Sequence, residues 1–276
     1  MRGFVFLLVG LLVTSLIGGA QDPNDCASVK ENGDEVTLRA ESWDPVLTIG
    51  RTLAARYGIN VSVEAPKWAF PGDTEDVAVA DPAFSEQHDN IHYDVKKRHA
   101  IEVRFSSSGN KHPDDVARLL RQVADAANRV MPYAYRLDAS SGDYALVPTR
   151  TRNPNGDLED VLPLLDRNVT IPLGTRSIAE HANLMADELS KRTGLHIGCC
   201  QALVAGVPWG MAKVRFEADN KPAREVLKWL ILTEQQANSQ ASSWHPDYDH
   251  WVVRCDGTGA PWCFIEVEGK FSPRCP

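Results

Sequence analysis

The chain has no excess of positive charge. Lys and Arg number 29 against 37 Asp and Glu, a net charge of −8. A nucleic-acid partner wants a basic face to displace counterions from phosphates, so this balance gives no footprint for nucleic acid. The short motifs that announce common chemistries are missing as well. There is no Gly-x-Ser-x-Gly elbow, no phosphate-binding glycine loop and no His-Glu-x-x-His, and no cofactor is expected. Past Ile17 no stretch is apolar enough to span a bilayer, and no low-complexity block interrupts the composition of a globular protein.

What is present begins with a targeting pattern. Arg2 precedes an apolar run from Phe4 to Ile17, and Gly18, Gly19 and Ala20 follow. That is the form of a secretory signal peptide over residues 1–20, cut after Ala20. The expected destination is the periplasm or the exterior, with no stable transmembrane span after cleavage. Six cysteines then stand in an oxidising compartment. Cys255 and Cys263 flank the turn-rich "DGTGAPW" between two strand-like runs, so a local disulfide there is expected.

Two stretches echo each other. "EVRFSSSGNKHPDDVARLL" runs from Glu102 to Leu120, and "KVRFEADNKPAREVLKWL" from Lys213 to Leu230. The order of elements around them echoes too. In the second half, Ser177 and Glu180 form a capping box. Ile178, Ala182, Met185 and Leu189 recur at helical spacing, and Gly194 suits a left-handed helix end. In the first half, Asp44-Pro45 opens a helix carrying Val46, Ile49, Leu53 and Tyr57, and Gly58 closes it. The expected fold is α+β: two tandem β-α-β-β-α-β(β) two-layer modules after the signal peptide. The expected boundaries are an N-terminal segment at 21–35, a first module at 36–150 with a polar insertion near 66–98, a linker at 151–167 and a second module at 168–270.

The pieces "LMADELSKRTGLHI", "KVRFEADNKPAREVLKWLI" and "HWVVR" resemble the short N-terminal domain of secretins and TonB-dependent receptors, the STN domain. "LTIGRTLAARYGINVSV" and "EVRFSSSGNKHPDDVARLL" carry a fainter version in the first half. The resemblance implies a periplasmic docking module that meets protein partners through sheet edges and helix faces. The large barrel or ring that usually follows this domain has no room in this chain, so the resemblance does not carry transport with it.

Chemistry-bearing residues are few. His88 and His92, four apart in the insertion, are weak metal candidates, set against an ordinary solvated loop. Trp209, Trp244 and Tyr248 offer flat aromatic surface for a glycan or small ligand, set against loop capping and core packing. Asp249 and His250 could do acid–base work as a hydrolase. The leading expectation is a non-catalytic docking protein of the bacterial envelope with an envelope protein as partner. Ligand binding through the Trp-rich second half is the alternative, and hydrolysis the third reading.

Overall fold

Prolines and glycines set the helix ends. The structure is a computed structural model. It describes residues 26–67, 69–88, 90–108, 112–139, 143–199, 210–239, 248–256 and 262–269, without the side chains of 238–239, 248–249, 256 and 269. The expected signal segment lies outside the described residues. The first half builds β1 (Ser28–Asn32), β2 (Glu35–Ser42), α1 (Pro45–Tyr57), β3 (Ser62–Glu64), β4 (Thr74–Asp76), α2 (Val77–Ala80), α3 (Pro82–Gln87), β5 (Asp94–Lys96), β6 (His99–Ser106), α4 (Pro113–Val130), β7 (Ala134–Asp138) and β8 (Ala145–Arg152). The second half builds β9 (Leu158–Asp160), β10 (Asn168–Ser177), α5 (Ile178–Thr193), β11 (His196–Cys199), β12 (Lys213–Pro222), α6 (Ala223–Ser239), β13 (Tyr248–Asp256) and β14 (Trp262–Gly269).

The caps are where the residues ask for them. Pro45 and Pro113 sit in the first turns of α1 and α4, where a missing N–H costs nothing. Ser177 and Glu180 exchange both bonds of the capping box on α5. Gly58 and Gly194 close α1 and α5 at φ of 64° and 70°, a region that side chains with a Cβ disfavour.

The fold is mixed α+β, and its pairings recur. Strand β2 pairs antiparallel with β6, as β10 does with β12. Strand β3 pairs parallel with β8, as β11 does with β14. The hairpin β7–β8 answers the hairpin β13–β14. The halves nevertheless share one sheet. Val252 and Val253 of β13 pair in parallel with Val63 and Glu64 of β3. The result is a continuous order β11-β14-β13-β3-β8-β7, with β9 attached to β8.

That joint fixes the geometry of everything else. Strands β3 and β11 are equivalent, yet β3 runs with β13 while β11 runs against it. The left-to-right order of equivalent strands is kept and their direction reversed. A half-turn about an axis across the strands does this, and it also exchanges the two faces of the sheet. The burial pattern agrees, since successive side chains on a strand point to opposite faces. On β13, Val252 belongs to the core of the first half, and Trp251 and Val253 to that of the second. On β8, Leu146 faces the first core, and Ala145 and Val147 the second. Helices α1 and α4 therefore cover one face and α5 and α6 the other. The small sheets β1-β2-β6 and β10-β12 form the outermost layers, five in all.

The stretch 151–167 is folded structure. Strand β9 pairs with the end of β8, and Leu164 and Leu165 are buried in the second core. The polar insertion holds the β4–β5 pair and the short helices α2 and α3. Among the described residues no helix is long and apolar enough to cross a membrane.

A shared sheet couples the two cores. Leu53 and Leu189 are both fully buried, one in each core. Truncating either to Ala removes about 2–5 kcal/mol. Each variant should lower the midpoint of one unfolding transition, seen alike by far-ultraviolet circular dichroism and tryptophan fluorescence. Two separated transitions in either variant would contradict the coupling.

Candidate functional site

Where β3, β8 and β13 begin, the sheet ends in an open groove of ≈ 770 Å³. One wall is the end of α1 and the β7–β8 connection, with Tyr57, Asn60, Asp143 and Tyr144. The other is α6, with Arg224, Lys228, Ile231 and Leu232. Trp251 and His250 of β13 contribute as well. The groove exists because the joint brings the first half's strand starts beside the second half's last helix.

Charges from the two halves tie the walls together. Arg224 of α6 donates to Asp138 of β7 at 3.4 Å and to Asp166 at 2.5 Å. Its guanidinium also lies over the Trp251 ring, 5.4 Å from the centroid, a cation–π contact. Arg136 donates to Asp166 at 3.0 Å from the exposed side, so the two arginines share the carboxylate. Further along, Lys228 pairs with Asp143 across the opening. On the opposite face of the sheet, Arg51 of α1 reaches Glu268 of β14 at 2.5 Å, and His250 stands 3.4 Å from the same carboxylate. Burial alone would push the Glu268 carboxyl up. The His250 hydrogen bond and the Arg51 charge outweigh it and hold the group well below the usual carboxylate range.

A further tie is a buried acid. Glu64 of β3 is 2 % exposed. Its carboxylate accepts from the backbone N–H of Leu164 and, at 3.3 Å, from that of Leu165. It thereby anchors the stretch between β9 and β10 to the sheet. Burial drives its pKa up to about 7, against the two backbone donors, which favour the charged form.

The residues singled out from sequence fall as follows. Cys255 and Cys263 are joined by a disulfide between directly paired positions of β13 and β14, with Cα atoms 4.0 Å apart. Cys26 and Cys199 are disulfide-bonded too. Trp209 and Trp244 lie outside the described residues. Tyr248 is placed in β13 by its backbone, and neither its side chain nor that of Asp249 is described. His250 is 6 % exposed and held in the Glu268–Arg51 network. His88 stacks on Phe84 with ring centroids 4.2 Å apart, whereas His92 bonds Asp76 at 2.9 Å, so the two are committed to different partners. Among the described residues no three His, Cys, Asp or Glu side chains gather as a metal site would require.

Sequence reasoning passed over Glu64, Arg51, Arg224 and their partners. Glu64 and Arg51 each interrupt an apolar pattern, in "INVSVEA" and "LTIGRTLAARY". A charge in such a place asks for a buried partner, although its identity, some 100 or 217 positions away, is a property of the fold. Comparison with protein-family models, curated proteins and solved structures finds no match to this chain.

Two consequences follow for stability. Folded Glu64 keeps its proton to about pH 7, whereas an exposed glutamate releases it near the ordinary value of 4.5. The folded state thus binds more protons between these limits, and stability must fall as pH rises through them, by an amount on the order of 3 kcal/mol. Glu64→Gln should flatten this slope in denaturant titrations. An unchanged slope would assign it to another group. Separately, Arg51→Ala strands the buried Glu268 carboxylate and should cost about 3–5 kcal/mol, with Glu268→Gln in the same chain recovering part of the loss.

Proposed function

We propose that the chain is an exported, non-catalytic docking protein, and that the groove between its halves receives a segment of a partner protein in the cell envelope. The observation that carries this reading is the character of the groove. Arg224 and Lys228 are answered by Asp138, Asp166 and Asp143 within the protein. They do not converge on one point, as chemistry on a small substrate requires. Beside them α6 lines the groove with Ile231 and with Leu232, which is 45 % exposed. An apolar strip rimmed by polar and charged groups is the anatomy of a protein-recognition surface.

The STN-like pattern in the sequence and the signal-peptide pattern support the same reading, since that domain is a periplasmic docking element. A small ligand is the second reading. The volume of the groove favours it, lying within the ≈ 300–1,000 Å³ range of small-molecule sites.

Site-specific photo-crosslinking in cells tests the first reading. A crosslinker replacing Leu232 should yield an adduct of one defined mass. The same group at Val79, exposed on α2 of the insertion, should not, and Lys228→Glu should reduce the adduct at 232 several-fold. The absence of an adduct at 232, or the same adducts at both positions, would refute docking at this groove.

A further inference from the structure

Among the described residues the central sheet ends in two unequal strands, β7 on one side and β11 on the other. They are not arbitrary edges. Counting from the helix-closing glycines, Ser62 and Val63 of β3 occupy the positions of Gly198 and Cys199 of β11. Ser62 and Val63 pair with Ala145 and Leu146, and Gly198 and Cys199 with Phe264 and Ile265. Across the hairpins, Leu146 faces Leu137 and Ile265 faces Val253. Leu137 of β7 is therefore the counterpart of Val253 of β13, and Tyr135 that of Trp251. Both members of the second pair are buried toward their own helices. The outer edge of β7 thus repeats the edge of β13 that enters the joint, and the outer edge of β11 repeats the edge of β3 that receives it.

At each outer edge a side chain fills the place of a neighbouring strand. Inside the chain, the N–H of Trp251 donates to the Ser62 hydroxyl at 3.2 Å, and the Val253 carbonyl accepts from Ala65 N–H at 2.8 Å. At the outer edge, the N–H of Tyr135 donates to Asn128 Oδ1 at 2.6 Å, and the Tyr135 carbonyl accepts from Asn128 Nδ2 at 3.0 Å. A carboxamide carries one acceptor and a donor, as a peptide group does, so Asn128 of α4 mimics one residue of an added strand. At the far end, Ile197 N–H of β11 donates to the Ser190 hydroxyl of α5 at 3.1 Å. Four residues before the closing glycine of α1, where α5 has Ser190, stands Ala54. It has no hydroxyl to offer, and β3, which follows α1, is the strand that accepts a partner.

We propose that β7 and β11 are the two sides of one further parallel joint, that the occupant each fits is a second copy of this chain, and that Asn128 and Ser190 are plugs holding the joint open. Exposed strand edges pair with other edges unless something blocks them. Because the halves are related by a half-turn combined with a shift across the sheet, closing this joint between copies continues the relation already present within one chain. Such a head-to-tail contact does not close on itself and builds open chains of molecules. With the plugs in place the protein stays a single copy, and releasing them exposes a docking edge whose partner is already specified by the internal joint.

Sedimentation over a concentration series tests this with the full secreted chain. The unmodified protein should keep the mass of one copy throughout. The double variant Asn128→Ala with Ser190→Ala should retain its circular dichroism spectrum, and its weight-average mass should at least double as concentration rises. Adding Leu137→Pro, which removes an N–H on the outer side of β7, should restore the single copy. A folded double variant that stays single overturns the proposal, as does self-association of the unmodified chain or association that survives Leu137→Pro. If the double variant fails to fold, Asn128→Asp with Ser190→Ala releases only the Tyr135 carbonyl and the Ile197 N–H. Association is expected there too, and a single copy overturns the proposal.

Discussion

Four residues hold the architecture in one piece: Val252 and Val253 of β13 against Val63 and Glu64 of β3. Parallel pairing is slightly less favourable per residue than antiparallel pairing, and this ladder is short. It persists because both faces of the sheet are covered at that point. Val63 and Val252 are buried under the first half's helices, Trp251 and Val253 under the second half's. The pairing orders the strands, and the apolar layers above and below keep water from competing for their backbone groups. Remove the ladder and each core loses residues that the other half supplies: Val252 on one side, Ala145 and Val147 on the other.

The charged ties make sense in this setting. Ion pairs at the surface contribute little, whereas Arg51 with Glu268 and Glu64 with its two backbone donors lie inside. Taking such groups out of water is costly, and a partner mainly limits that cost. Their effect here is on arrangement. Arg51 fixes α1 of the first half over β14 of the second. Glu64 fixes the start of the second half onto β3 of the first. Arg224 and Lys228 do the same at the wetter rim, and the groove lies between them. A site built at a seam inherits its shape from the seam, so the proposed docking function depends on the halves holding their places.

Much of the fold was legible because it is written locally. Gly58, Gly194, Pro45, Pro113 and the Ser177–Glu180 box mark helix ends through backbone requirements that do not depend on distant contacts. The Val-Arg-Phe echo marked equivalent strands, β6 and β12. Cys255 and Cys263 could be paired because they flank a short turn-rich stretch of sequence, and the structure places them opposite each other on β13 and β14. What sequence reasoning did not reach was the sharing of a sheet. Each half reads as a complete unit, and nothing in "SVE" or "VVR" says which other strand it will meet. Leu164 and Leu165 were read within a linker because their neighbours are polar and turn-forming, yet both are buried in the second core. Arg224, Lys228 and the carboxylates they pair with were overlooked for the same reason. Arg224 and Asp138 acquire their role only once the halves are joined.

The Ala65 amide reports on the joint directly, since it donates across it to the Val253 carbonyl. Hydrogen exchange resolved at single residues should find this amide opening only with the whole molecule, as slowly as the amides of Leu53 in α1 and Leu189 in α5. Exchange at Ala65 that is orders of magnitude faster than at those two positions, with both helices still protected, would mean that the halves part while each stays folded, and would contradict the account of one shared sheet.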